Sequence, residues 1–209
     1  MIESTHGIIL RTRPLTETSL IVHWLTPELG RIATVAKGAR RPKSPLRGKL
    51  DLFYEADFSF ARSRRSELHN LREVGLRETH SALRQEMGWL RQAAYCAALI
   101  EQTTESESPL REVFELMRDF LNHLTRQPPQ PRNIFAFELK LLYELGLKPD
   151  FTRSRLTLGT KEILHSLSEN DWPAIAQLKS TAAQAREVSQ FLHGFLIFHL
   201  GKIPNGRTL

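Results

Sequence analysis

Residues 52–60 read LFYEADFSF. Leu52, Tyr54, Ala56, Phe58 and Phe60 fall on one side of the alternation, and Phe53, Glu55, Asp57 and Ser59 on the other. Successive side chains of a strand point to opposite faces, so this run predicts a half-buried strand. Its core face would carry Tyr54, Phe58 and Phe60. Phe53, on the polar side, and Trp24 are the aromatic residues this reading leaves open to a ligand.

On the C-terminal side, RSRRS at 62–66 is a polar turn with three arginines, and residues 68–74 supply a closing strand. On the N-terminal side lies RIATVAKGARRPKSPLRGK, residues 31–49, an apolar strand that opens into a basic loop. Before it come two more β-rich runs, GIILR at 7–11 and TSLIVHWLT at 18–26, the second joined to residue 31 by the turn PELG. About five strands with loops of uneven length predict a small antiparallel barrel, for which a five-stranded OB-fold is the natural candidate. Such barrels bind single strands through one face and its loops.

The segment 31–49 holds seven basic residues, Arg31, Lys37, Arg40, Arg41, Lys43, Arg47 and Lys49, and no acidic one. Gly38 lets the backbone turn at positive φ, and Pro42 and Pro45 keep the loop out of ladders. With little to bury, the loop reads either as a solvated surface segment or as a row of fixed positive charge for a polyanion. Up to His80 there are fourteen Lys and Arg against nine Asp and Glu, so most of the net charge of +6 sits in the barrel.

From residue 81 the period becomes helical. Leu83, Met87, Leu90, Ala94, Ala97 and Ala98 form one stripe of a first helix. Ser108 and Pro109 open a second, with Leu110, Val113, Phe114, Met117, Leu121 and Leu124 as core. After the stiff QPPQP connector comes IFAFELKLLYEL, residues 134–145, apolar nearly all round and ended by Gly146. Short helices follow around 162–167 and 173–178. Thr181 and Gln184 have the spacing of a capping box that opens a last helix through His199 to Gly201. His199 reads as a core histidine and KIPNGRTL as a polar, frayed tail. The fold class is therefore α+β with two domains, an OB barrel over residues 1–79 and an all-α domain over 80–209.

A single cysteine, Cys96, leaves no internal disulfide and fits a reducing compartment. It lies among alanines and reads as a small core side chain. No membrane span or signal peptide is legible, so a cytoplasmic protein is expected. The eight histidines show no one-turn metal spacing, and phosphate-loop, dinucleotide and nucleophile-elbow motifs are absent. A non-enzymatic binding protein without metal or cofactor is expected.

Gly7-Ile8-Ile9-Leu10-Arg11, Glu17-Thr18-Ser19-Leu20, Leu25-Thr26-Pro27-Glu28 with Gly30, and Val35-Ala36-Lys37-Gly38-Ala39-Arg40 resemble, in order and spacing, the N-terminal domain of the bacterial DNA repair family RecO. Phe137-Glu138-Leu139-Lys140-Leu141-Leu142, with Leu145, Gly146 and Pro149, resembles that family's central helix, and Leu200-Gly201-Lys202 its last helix end. The resemblance implies an OB-fold followed by a helical domain, acting as a recombination mediator. Implied partners are single- and double-stranded DNA, the acidic C-terminal tail of single-strand binding protein, RecR and, indirectly, RecA. Carried over by motif are Arg11 on the first strand and Lys37 and Arg40 in the loop; Arg13, Arg41, Lys43 and Arg47 are assigned to DNA by charge. Where some relatives place an arginine before Phe-Glu-Leu to receive the protein tail, this chain has Ala136, and Arg132 or Lys140 would supply the charge instead. Many members carry a four-cysteine zinc site after the central helix; this chain has DFTRSR at 150–155 and no cysteine there.

Two other functions fit the same residues. The barrel charge could serve an acidic protein in an adaptor, or the backbone of RNA rather than DNA, since both nucleic acids carry the same phosphate. Salt dependence, tail-peptide titration and competition between matched DNA and RNA strands separate the three.

Overall fold

The computed structural model describes residues 1–152 and 154–207. Five strands form the first half of the chain: β1 (Ile2–Pro14), β2 (Leu20–Thr26), β3 (Gly30–Ala36), β4 (Glu55–Ala61) and β5 (Leu68–Glu78). They close into a barrel in the order β1-β2-β3-β5-β4. All pairings are antiparallel except β3 with β5, which run parallel through Ala33–Leu68, Thr34–His69 and Val35–Asn70. Closure removes the free edges that an open sheet would expose. This is the expected OB barrel.

β1 can serve two neighbours because it is long and bent. Its first half pairs with β4, its second half with β2, and the register shifts between Ile9 and Arg11. A bulge of this kind bends a strand and increases its twist. Inside the barrel Val22, Trp24, Ile32, Ala56, Phe58, Phe60, Leu71 and Val74 make the core. Trp24 stacks on Phe58 with centroids 4.0 Å apart and donates its indole N–H to Thr34 Oγ1 at 2.9 Å. Both needs of a buried indole, apolar surface and a polar partner, are met at one point.

The strand reading of residues 52–60 is corrected at its start. β4 begins at Glu55, and Phe53 has φ 65, which ends the alternation. Residues 53 and 54 instead close over the β1 bulge, Phe53 N donating to Ile9 O at 2.8 Å and Ile9 N to Tyr54 O at 3.0 Å. The Phe53 ring is buried, as is Trp24. Neither offers a face to a base. Burying a large ring is worth about 1.5–3 kcal/mol, enough to offset the ~1–2 kcal/mol that a left-handed non-glycine residue costs.

The chain divides into two compact units. The first joins Met1–Ser81 with Thr104–Arg118. The added segment runs beside β3: Ser106 bridges Arg31, Glu107 N donates to Arg31 O at 2.8 Å, and the Arg31 guanidinium donates to Thr104 Oγ1 at 2.7 Å and to Thr104 O. Arg62 reaches Glu107 at 2.7 Å, and the buried His69 meets the same carboxylate at 3.1 Å.

The second unit takes Ala82–Thr103 and the chain from Asp119 onward. After a short turn of 3-10 helix (Ser81–Gln85) come α1 (Met87–Thr103), α2 (Arg111–Leu124), of which only the part from Asp119 belongs to this unit, α3 (Pro131–Glu144), α4 (Leu158–Glu169), α5 (Trp172–Gln177) and α6 (Ala182–Leu200). α3 is buried on nearly every side, as its apolar composition requires. The capping box of Thr181 and Gln184 is present, and Gly146 and Gly201 stop their helices at φ 74 and 72. Met87 is exposed, not core, because the break at residue 86 starts a new helix there. α2 starts at Arg111, two residues after Pro109. His199 is also exposed rather than core.

Candidate nucleic-acid interface

The basic loop after β3 is neither helix nor ladder; residues 36–49 descend through consecutive turns, each closed by an N–H donating three residues back. Gly38 has φ 66, as its turn requires. Contrary to the expectation that the loop has little to bury, Ala39 and Leu46 insert into the barrel core and hold it at two points. Lys37, Arg40, Arg41, Lys43 and Arg47 remain exposed between those anchors.

Further bonds fix the loop to the β1–β2 connection. Arg40 N donates to Thr18 O at 3.0 Å, Arg40 Nη1 to Thr16 O at 3.3 Å, and Gly38 N to Ser19 Oγ at 3.3 Å. Pro14, Leu20 and Ala36 are opposite one another across β1, β2 and β3, so Arg13 ends its strand beside this junction. Arg11 lies two residues back on the same outer face, paired with His23. The structure thus brings Arg13, Lys37 and Arg40 to one end of the barrel, with Arg11 adjoining on the sheet. Arg47 folds back to donate to Pro42 O at 3.1 Å. Lys49 is turned inward, donating to Val74 O at 3.0 Å, and Arg31 serves the Thr104 segment.

His23 is a member of this face that sequence reasoning missed. Half-burial, together with the positive charge of Arg11, Arg13 and Arg31, pushes its pKa down to about 4. The ring is therefore neutral at physiological pH, on a surface whose field repels a further proton. Only the cross-strand pairing brings it to Arg11, which no local spacing could reveal.

Elsewhere on the barrel the charge has the opposite sign. A groove of about 690 Å³ is lined by Glu3, Glu28, Asp57 and Glu73 with His6. Arginines at its margin are spent on these acids, Arg62 on Glu3 at 2.7 Å and Arg77 on Asp57 at 2.6 Å. A polyanion finds favourable charge on the loop face and not here.

In the helical unit a second cavity, about 330 Å³, is floored by Phe135, Ile163, Leu167, Leu178 and Val188. Arg132 is on its wall, donating to Leu178 O at 3.0 Å and Gln127 Oε1 at 3.3 Å. Lys140 stands apart from it. Its ammonium donates to Ser168 O at 3.3 Å and Asn170 O at 2.8 Å, and burial lowers its pKa.

Among the described residues no three His, Cys, Asp or Glu side chains gather to hold a metal. The segment after α3, whose Arg153 lies outside the described residues, has no cysteine and does not fit a four-cysteine zinc site. Cys96 is buried, which pushes its thiol pKa well up. No helix among the described residues is long and apolar enough to cross a membrane.

The family described as "Recombination protein O N terminal" matches residues 1–80, and "Recombination protein O C terminal" matches residues 90–157. The DNA repair protein RecO of Bacillus pumilus is 30% identical over 212 residues, covering 97% of this chain and 81% of the relative. Those of Alkaliphilus metalliredigens and Rhodopirellula baltica are 33% and 32% identical over 73% and 68% of the chain. The chain spans 61% and 53% of the length of these last two relatives.

Proposed function

This chain belongs to the RecO family of DNA repair proteins, and we propose that it is a recombination mediator that binds rather than catalyses. Its barrel takes the phosphate backbone of single- and double-stranded DNA on Arg11, Arg13, Lys37, Arg40, Arg41, Lys43 and Arg47. Its helical unit takes the acidic tail of single-strand binding protein. Holding both, it anneals complementary strands and, with RecR, promotes loading of RecA. The domain division that goes with this assigns DNA to residues 1–79 and the protein tail to 80–209.

One observation carries the reading: the bonding of the basic loop to the β1–β2 connection, which holds Arg40 beside Arg13 at one end of a closed OB barrel. Cations on a surface so held meet phosphates without first losing loop entropy. Four of the barrel's acids, Glu3, Glu28, Asp57 and Glu73, line a separate groove, and Glu17 is the acid of the β1–β2 connection beside five exposed cations of the loop.

Salt titration of single-strand binding tests it. Each phosphate contact contributes about 0.7 to the slope of log affinity against log salt for single strands. Replacing Lys37, Arg40 and Arg41 with alanine is expected to lower the slope by about 2. An unchanged slope would place the DNA elsewhere. Annealing of strands coated with single-strand binding protein is expected to fail in the same variant, since that reaction needs both sites.

A further inference from the structure

The QPPQP connector, residues 127–131, does more than join α2 to α3, because Gln127 stands where four partners meet. Its backbone O accepts from the Trp89 indole at 2.9 Å, its Oε1 accepts from Arg132 Nη2 at 3.3 Å, and its Nε2 donates to Asn133 Oδ1 at 2.9 Å. The same Nε2 lies 2.8 Å from Nε2 of His123, a buried ring stacked on Trp172.

The orientation of the Gln127 amide is fixed from two ends. A guanidinium has only donors, so the Gln127 oxygen faces Arg132 and its NH2 group faces His123. Independently, a backbone carbonyl only accepts, so the bond from Gln92 Nε2 to Gln130 O at 2.9 Å turns Gln92 Oε1 toward Asn133. Asn133 Nδ2 donates to that oxygen at 3.3 Å, which leaves Asn133 Oδ1 to accept from Gln127. From either end the Gln127 N–H groups meet His123 Nε2. That nitrogen is therefore an acceptor, and the imidazole is neutral with its proton on Nδ1. Burial, then Arg126 and Arg132, favours the same neutral form by lowering the His123 pKa, outweighing an opposing contribution from Asn133. A proton on Nε2 would set N–H against N–H, and an amide flip to relieve it would turn the Gln127 NH2 group on Arg132.

We propose that Gln127 and His123 are positioning residues of the apolar groove in the helical unit. Neutral His123 sets the Gln127 amide, and the amide oxygen, with Leu178 O at 3.0 Å, holds the Arg132 guanidinium on the groove wall for a carboxylate of the acidic tail. The inference rests on the reading of that groove as the tail site and deepens it. A long side chain that is ordered only on binding costs part of the affinity, and one already held does not.

The experiment uses the full chain and a fluorescein-labelled acidic peptide ending in Phe, read by anisotropy. Gln127→Met keeps the length of the side chain and removes both ends of the amide. Its affinity for the peptide is expected to fall about 2- to 12-fold, the equivalent of ordering one long side chain. In the Arg132→Ala background the same substitution is expected to change affinity by less than about 1.5-fold, because a positioning residue acts through the group it positions. Equal weakening in both backgrounds overturns the proposal, since Gln127 would then only shape the groove. Side-chain NMR of the histidines in the wild type gives a reading that needs no variant to fold: His123 is expected as the neutral Nδ1–H tautomer at pH 7, and a proton on Nε2 overturns the proposal. If the wild type does not bind the peptide, the tail reading fails and takes the proposal with it. If Arg132→Ala weakens the peptide and Gln127→Met does not, the tail reading stands and the positioning proposal alone falls.

Discussion

Arg207 reaches back 69 residues to Glu138: its Nε lies 2.6 Å from Oε1 of the carboxylate and its Nη2 2.8 Å from Oε2. Glu138 is wholly buried, and Tyr95 donates its hydroxyl to the same Oε1 at 2.6 Å. Burial and the neighbouring carboxylate push the Tyr95 phenol far up, so it stays a donor. The segment after α6 is thus fastened into the helical unit, where a frayed tail was expected. Arg207→Ala leaves a buried charge with one neutral partner and is expected to destabilise the protein by about 3–5 kcal/mol. Leucine at both Glu138 and Arg207 removes the uncompensated charge and is expected to recover most of that loss. Urea unfolding of the two variants measures the difference.

Gly30 and Gly48 both have positive φ, 66 and 74, but in different surroundings. A Cβ on Gly30 would stand 2.1 Å from Ser108 O, a backbone atom that cannot swing away; one on Gly48 meets nothing within 4 Å. Gly48→Ala is expected to cost only the left-handed penalty, about 1–2 kcal/mol. Gly30→Ala adds displacement of the Thr104–Arg118 segment and is expected to cost at least ~2 kcal/mol more. Equal midpoints in urea for the two variants would contradict this.

The barrel was legible because alternation marks strands directly, and the capping box and glycine stops marked helix ends as plainly. What alternation cannot report is where its own parity breaks. At Phe53 a single positive φ moved a ring from the apparent outer face to the core, and around Trp24 the run LIVHWL is apolar enough that no face stands out. At the site, the motif Lys37-Gly38-Ala39-Arg40 picked out Lys37 and Arg40, and charge alone picked out Arg41, Lys43 and Arg47. The anchors Ala39 and Leu46 were hidden, since two small apolar residues in a basic loop carry no period. His23 with Arg11, and Glu138 with Arg207, are joined by tertiary pairing, which leaves no trace in spacing.

His23 provides a pH signature for the basic face. Burial, then Arg11, Arg13 and Arg31, hold its folded pKa near 4, below the ordinary 6.5. Between those values the unfolded chain binds the proton and the folded one does not, so stability from this group is full above pH 6.5 and is lost as pH falls toward 4. His23→Gln is expected to lose less stability than the wild type between pH 7 and 4.5. Equal losses would show that the ring is not held neutral by the fold. Seating a polyanion on Arg11 and Arg13 would offset their field, so oligo-dT is expected to raise the His23 pKa in an NMR titration. An unmoved resonance would argue that DNA avoids this part of the sheet.

The two cations proposed to receive a protein tail are in unlike positions, and that decides what each substitution does. Arg132 stands on the wall of the apolar groove, and its Nε is buried without a hydrogen-bond partner among the described residues. In the proposed complex a carboxylate entering the groove would supply the missing acceptor, and an aromatic side chain of the same tail would occupy the space beside Phe135 and Leu167. Hydrogen bonds to charged groups are worth about 1.5–3 kcal/mol, so Arg132→Ala is expected to weaken an acidic peptide ending in Phe by roughly 10- to 100-fold. Lys140 already has its donors on Ser168 O and Asn170 O, where it ties the end of α4 to the start of α5. Lys140→Ala is expected to cost about 1–3 kcal/mol of stability and to change peptide affinity by less than a factor of about 2. Fluorescence anisotropy with a labelled peptide and urea unfolding of both variants read the two quantities separately. Loss of peptide binding in Lys140→Ala with Arg132→Ala unaffected would move the tail out of the groove.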